Sequence, residues 1–103
     1  MNRIEQLLAF LQKEPKDPFL RHALALEYIK LNDDEKAIQL LIALLTDTPT
    51  YIGSYYQLAK LYEKHADFEQ AKYWYKQGMS YAKLKNEKHS YNELSSGLDE
   101  LEY

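Results

Sequence analysis

The side chains best suited to acid–base or metal chemistry are three histidines: His22, His65 and His89. No two of them have the four-residue spacing that places a pair of ligands on one helix face. Glu87 and His89 are only two residues apart, so the sequence has no Glu-x-x-His pair. The chain has no cysteine, which removes thiolate catalysis and thiolate metal sites together. With no phosphate-binding glycine loop and no nucleophile elbow, these features predict a protein that is not an enzyme and that needs no cofactor and no metal.

A second chemical possibility is nucleic-acid binding by a segment in which lysines alternate with aromatic residues. Aromatic rings between cations can stack on bases. The chain, however, carries a formal charge of −3, and nucleic-acid affinity comes largely from phosphate neutralisation. Trp74 and Tyr75 also fall on an apolar stripe that is expected to face inward. An acidic segment, 86–103, follows the lysines, so we interpret the pair as intramolecular complementarity and predict no nucleic-acid partner. The lysines are Lys72, Lys76, Lys83 and Lys85.

The size and composition of the chain limit the remaining classes. At 103 residues it corresponds to one small domain, and 46% hydrophobic with 28% charged residues is typical of a globular protein. No apolar run is long enough to span a membrane. The first residues include Glu5 and Gln6 within their apolar stretch, which is unlike a secretory signal. We therefore expect a cytoplasmic protein with no membrane partner.

An internal repeat supplies the framework for these side chains. When the sequence is shifted by 34 residues, seven of the 21 pairs between residues 17–37 and 51–71 are identical. A period of this length is typical of stacked helical repeats. Within it, Leu20, Leu24 and Tyr28 recur at helical spacing, and no long alternating strand pattern is present.

Capping residues precede the helical stretches. Asp17 stands before Pro18, a good pair for a helix start, and Asn2, Asp33 and Asp67 stand at the starts of the first, third and fifth helices. We expect Thr50 and Ser90 to begin the fourth and sixth helices. The resulting prediction is six helices, with short connections that make neighbours antiparallel: 2–13, 17–31, 33–46, 50–65, 67–85 and 90–102.

This pattern resembles the tetratricopeptide repeat (TPR) family, whose 34-residue unit is a pair of helices. The matching positions are the small residues, the tyrosine and the closing proline of the unit: Ala25, Tyr28, Ala37 and Pro49, then Ala59, Tyr62 and Ala71. Arg21 departs from the pattern, because the family has an aromatic residue there. The resemblance implies an all-α, right-handed solenoid of antiparallel helix pairs. It divides a single domain, 1–103, into a half-repeat helix (2–16), repeat 1 (18–51), repeat 2 (52–85) and a capping helix (86–103).

The resemblance also implies a function. TPR proteins bind peptides or partner proteins, without catalysis, in a concave groove lined by the first helix of each repeat. The groove positions are largely apolar in repeat 1 and more basic in repeat 2. Such a groove would suit a partner that carries an apolar side chain beside acidic residues. The donors of the family's chaperone-tail clamp are missing at His22 and Leu26. The expected groove residues are Phe19, His22, Leu26, Lys30, Tyr56, Lys60, Glu63 and Lys64.

Two alternatives stay open from the sequence. One is a homo-oligomeric scaffold protein with no separate ligand, and a homodimer is compatible with either function. The other concerns the last helix, whose leucines form one apolar stripe: Leu94, Leu98 and Leu101. This stripe predicts a cap, either on its own chain or on a neighbouring one.

Overall fold

In a computed structural model of the protein, residues 1–102 are described, and Tyr103, the last residue of the expected capping segment, lies outside them. Residues 1–102 form six α-helices and no strand, which confirms the all-α class. The helices are α1 (Arg3–Lys13), α2 (Pro18–Lys30), α3 (Asp34–Asp47), α4 (Gly53–Lys64), α5 (Phe68–Leu84) and α6 (Lys88–Leu101).

Four helices begin at capping side chains that the sequence indicated. In each, a side-chain oxygen accepts a hydrogen bond from the backbone N–H three residues later, which satisfies a donor that the helix itself leaves free. Asp17 also precedes Pro18, the first residue of α2. The caps are Asn2 to Glu5 (2.8 Å), Asp17 to Leu20 (3.0 Å), Asp33 to Lys36 (3.4 Å) and Asp67 to Gln70 (3.3 Å).

The other two expected caps are wrong. α4 begins at Gly53 rather than at Thr50, and its N-cap residue, Ile52, makes no side-chain cap. A tight turn in which Ser54 N donates to the carbonyl of Tyr51 replaces that cap. α6 begins at Lys88, so Ser90 lies inside the helix.

The helices fall into two compact units, the first of which spans Met1–Thr48. In this unit α2 packs against both α1 and α3. Arg21, at the position where the repeat pattern has an aromatic residue, is nearly buried and pairs with Asp47 at the end of α3, 2.9 Å away. The guanidinium therefore closes one end of the α2–α3 pair with an ion pair in place of an aromatic ring.

The second unit begins at Pro49, and in it α5 packs against both α4 and α6. Tyr55 and Tyr75 are buried at its centre, each with its hydroxyl satisfied. The Tyr55 hydroxyl donates to the carbonyl of Pro49 at 2.6 Å, and the Tyr75 hydroxyl donates to Glu63. α6 packs on α5 through the leucine stripe, in which Leu94 and Leu98 are buried.

One turn geometry recurs at three helix ends. Asn32, Ala66 and Asn86 have φ near +60°, and the residue after each donates its N–H to the carbonyl five residues earlier, at 2.9 Å in every case. This is the left-handed ending that closes many helices. The turn between α5 and α6 is therefore the same as the turn inside each repeat, and it sets α6 antiparallel beside α5.

Ala66→Gly is expected to stabilise the protein by about 0.5–1 kcal/mol, because glycine avoids the steric cost that the alanine Cβ has at positive φ. The other two turn residues are asparagines, whose polar side chains can hydrogen-bond locally in this conformation. Urea unfolding followed by circular dichroism would measure this change. Asn86→Gly is the matched control and should have a smaller effect, because asparagine tolerates this conformation. A destabilised Ala66→Gly variant would contradict the turn geometry.

Ala37→Leu and Ala71→Leu are each expected to cost about 1–3 kcal/mol, because both alanines are fully buried and a larger side chain would overpack the contact. Ala43→Leu, at an exposed position of the same helix as Ala37, is the control and should change stability by less than about 0.5 kcal/mol. Thermal unfolding of the three variants would test the repeat assignment, which fails if the buried and exposed variants melt alike.

Candidate functional site

The first-unit candidates lie along one face of α2. Phe19 is 65% exposed, Lys30 is exposed, and His22 and Leu26 are half-buried. Burial lowers the pKa of His22 below its ordinary value. Lys30 forms an ion pair with Glu27 at 3.0 Å. This face thus offers one accessible aromatic ring beside partly covered apolar surface.

The second-unit candidates lie along α4. Tyr56, Lys60 and Lys64 recur at four-residue spacing, which places them on one row of the helix. Tyr56, Lys60 and Glu63 are half-buried, and Lys64 is exposed. Lys60 Nζ lies 5.5 Å from the centre of the Tyr56 ring and 3.5 Å from Glu63 Oε2. The structure therefore brings three of the four candidates together: Tyr56, Lys60 and Glu63.

This row forms one wall of a shallow depression of about 350 Å³ whose other wall is α6. From α4 it is lined by Tyr56 and Lys60. From α6 it is lined by the polar face of that helix: His89, Asn92, Glu93, Ser96, Gly97 and Glu100. The depression is open, and its floor and walls combine one aromatic ring with charged and hydrogen-bonding groups.

A buried polar network fixes this wall from behind. The Glu63 carboxylate accepts the hydroxyl of Tyr75, which is fully buried, and pairs with Lys60. Burial, reinforced by the hydrogen bond to Glu63, raises the pKa of the Tyr75 hydroxyl, so it remains a donor. Glu63 is half-buried, and its carboxylate already contacts both Tyr75 and Lys60.

The charge of the depression differs from the expected basic-leaning half. Partial burial by itself lowers the pKa of Lys60, but nearby negative charge, from Glu63 first and also from Glu100, leaves that pKa above its ordinary value. Since α6 adds Glu93 and Glu100 to the lining, the single lysine does not make the depression basic. The depression is therefore of mixed charge, and a partner chosen by the basic residues of this unit stays a prediction.

The α6 residues are the part of the candidate site that was not assigned to the groove from the sequence. Their signal was present, because His89, Glu93, Ser96 and Glu100 recur at helical spacing opposite the leucine stripe. Such a face is ordinarily solvated, however, and only the fold places it beside α4.

Within residues 1–102, no helix is both long and apolar enough to cross a membrane. The same part of the chain holds no group of three or more His, Asp or Glu residues placed to hold a metal ion.

Helix pairs closed by a recurring turn define the class of all-α repeat proteins. Three of the solved structures that are similar to the chain illustrate this class. Two are the crystal and solution structures of a tetratricopeptide repeat domain protein from Salinibacter ruber, both 35% identical. They cover 84% and 85% of this chain and 96% and 89% of theirs, with TM-scores of 0.79 and 0.82. A protein from Bordetella parapertussis is 25% identical over 98% of this chain and 88% of its own, with a TM-score of 0.83.

The chain belongs to the tetratricopeptide repeat family, as its sequence pattern indicated. No family sequence model and no curated protein matches it. Membership of this family supports the general class of a protein-interaction repeat module.

Proposed function

We propose that the chain is a non-catalytic module that binds a peptide or partner protein through the first helices of its repeats, α2 and α4. The whole chain is then one TPR domain with the repeat bounds expected from the sequence. A scaffold role, a cytoplasmic location and the absence of a nucleic-acid or membrane partner belong to the same proposal. The cysteine-free composition supports the location.

The observation that carries the proposal is the depression between α4 and α6. The lining is preorganised, because Lys60 contacts both Glu63 and the Tyr56 ring. Tyr56 in turn packs edge-on against Tyr75, with 6.2 Å between the ring centres. Side chains that are already ordered lose little entropy on binding. A half-buried tyrosine with charged groups on both sides can hold an apolar anchor while its polar surroundings fix the orientation.

The test is selection of binding peptides from a displayed random library, followed by affinity measurement with variants. Combined Tyr56→Ala and Lys60→Gln substitutions are expected to weaken the selected peptides by about tenfold or more. The matched control combines Tyr73→Ala and Lys13→Gln, which alter an exposed tyrosine and an exposed lysine elsewhere, and should change affinity less than about twofold.

Three results would contradict the proposal. These are a library that yields no binder, binders whose affinity the α4 variant leaves unchanged, and a protein that forms a stable homo-oligomer covering α4. The last is measured by size exclusion with light scattering and would favour the scaffold alternative. Circular dichroism of each variant establishes that it is folded.

A further inference from the structure

A second surface, on α5 and α6, carries lysines that form no ion pair with any carboxylate of residues 1–102. Lys72, Lys76, Met79 and Lys83 follow one another at spacings of four, three and four, so they share one face of α5. Like charges four residues apart on a helix repel one another. From Lys72 to Lys83 this face carries three lysines and one methionine, and Glu69 lies at its N-terminal end.

This face continues onto α6 through two adjoining depressions. One, of about 300 Å³, is lined by Lys76, Met79, Ser80, Lys83 and Tyr91. The other, of about 390 Å³, shares Lys83 and Tyr91 and is also lined by Lys88 and by Glu87, which pairs with Lys85 at the turn. We call these residues the Lys83 face: Lys76, Met79, Ser80, Lys83, Lys88 and Tyr91. It combines an apolar floor with three cations.

Only one of the four lysines, Lys85, pairs with the acidic segment 86–103, so the expected intramolecular neutralisation does not extend to the lysines along α5. Among the described residues, no ion pair joins a lysine of α5 to a carboxylate of α6. The carboxylates of Glu93 and Glu100 line the depression toward α4, on the other flank of α6. Glu87, at the turn, pairs with Lys85 at 3.8 Å. The lysines of the Lys83 face therefore have no acidic partner within residues 1–102.

We propose that the Lys83 face is a second docking surface, which binds an acidic amphipathic peptide segment of a partner protein. The argument is charge complementarity: on a chain of net charge −3, Lys76 and Lys83 line one depression, and Lys83 and Lys88 line the adjoining one, without an ion pair to any described residue. A segment with one apolar side chain flanked by carboxylates would place the apolar group on Met79 and Tyr91, with its carboxylates near the lysines.

The surroundings favour a peptide over nucleic acid. Base stacking requires accessible rings, but Tyr75 is fully buried and Trp74 is half-buried. Tyr73 is 51% exposed but follows Lys72 directly, about a quarter-turn away from the lysine face. The Lys83 face itself presents methionine and one half-buried tyrosine.

The probe is a fluorescein-labelled synthetic peptide of about four helical turns, made of Glu, Leu and Ala with leucines on one face. Binding is followed by fluorescence anisotropy at low salt and at about 0.15 M salt. The variant Lys76→Gln/Lys83→Gln/Lys88→Gln should bind it about tenfold more weakly, as expected for three surface charge contacts. The matched control, Arg3→Gln/Lys13→Gln/Lys16→Gln, removes the same charge from exposed positions of the first unit.

Two results together support the proposal. The control variant should bind the peptide within about twofold of the parent protein. A scrambled peptide of the same composition should bind the parent protein at least fivefold more weakly, because scrambling keeps the charge and removes the apolar face. Equal losses in the two variants would overturn the proposal, because they would mean unspecific attraction. It is equally overturned if a single-stranded oligonucleotide binds the Lys83 face more tightly than the peptide. A homodimer that the triple variant abolishes would assign the face to a second copy of the chain instead.

Discussion

Deleting residues 88–103 is expected to destabilise the second unit by about 4 kcal/mol, because it removes two buried leucines that contribute about 2 kcal/mol each. Leu94 and Leu98 are 1% and 7% exposed. The deletion also uncovers the Tyr75 ring, against which Gly97 lies. Urea unfolding followed by circular dichroism would measure the loss of unfolding free energy. We also expect the variant to aggregate, because the deletion exposes this apolar surface.

Deletion of residues 102–103 alone keeps all of α6, which ends at Leu101, and is the reference against which the longer deletion is compared. Light scattering distinguishes two forms of the α6 contact. An unstable monomer supports a cap on the same chain, whereas a stable chain that changes from dimer to monomer means that α6 is exchanged with a neighbour. Unchanged melting and unchanged mass in the longer deletion would show that α6 contributes to neither.

Gly78→Ala is expected to cost about 2–3 kcal/mol, although alanine is the better helix former by about 1 kcal/mol. A Cβ at this position would lie 2.6 Å from Tyr55 Cβ and 2.9 Å from Leu94 Cδ1. Tyr55 cannot easily move, because its ring stacks on Tyr81 at 5.9 Å and its hydroxyl donates to Pro49. Thermal and urea unfolding would measure the loss.

Gly53→Ala supplies the matched control within the same unit. A Cβ there would meet nothing within 4 Å, so this variant should be neutral or slightly more stable. Gly97→Ala should follow Gly78→Ala in direction, because its Cβ would lie 2.5 Å from the Tyr75 ring. Similar stability of the Gly53 and Gly78 variants would contradict the close approach of α5 to α4.

Features that depend on neighbouring residues were predictable from the sequence. The caps at Asp17, Asp33 and Asp67 were identified correctly, because each is a contact between residues three apart in the chain. The buried alanines, Ala37 and Ala71, followed from the repeat, since the same small residue recurs where two helices meet.

The beginning of α6 was missed because two local signals competed. Ser90 with Glu93 has the spacing of a capping box, but Asn86 reverses the chain in the left-handed conformation and α6 starts at once. The turn formed by Asn32 in the first repeat was the better guide. The position of a residue with positive φ at one helix end therefore indicates the start of the following helix better than a later serine does.

The candidate site was predictable along a single helix but not between helices. Spacing placed Tyr56 and Lys60 on one row of α4. It did not reveal that Glu63 is held by Tyr75 or that Glu100 approaches Lys60, because these residues are separated by 12 and 40 positions in the chain. The charge of the depression could therefore be assigned only from the folded chain.

The aromatic cluster of the second unit gives the protein an internal optical reporter. Trp74 is the single tryptophan of the sequence, and Tyr55 and Tyr73 lie 6.1 Å and 5.0 Å from it between ring centres. Light absorbed by these tyrosines is transferred to the indole, so emission changes when the second unit opens. Circular dichroism, in contrast, sums the helices of both units. The separation between the two unfolding curves therefore measures the cooperativity between the units, and coincident curves would mean that the repeats unfold as one.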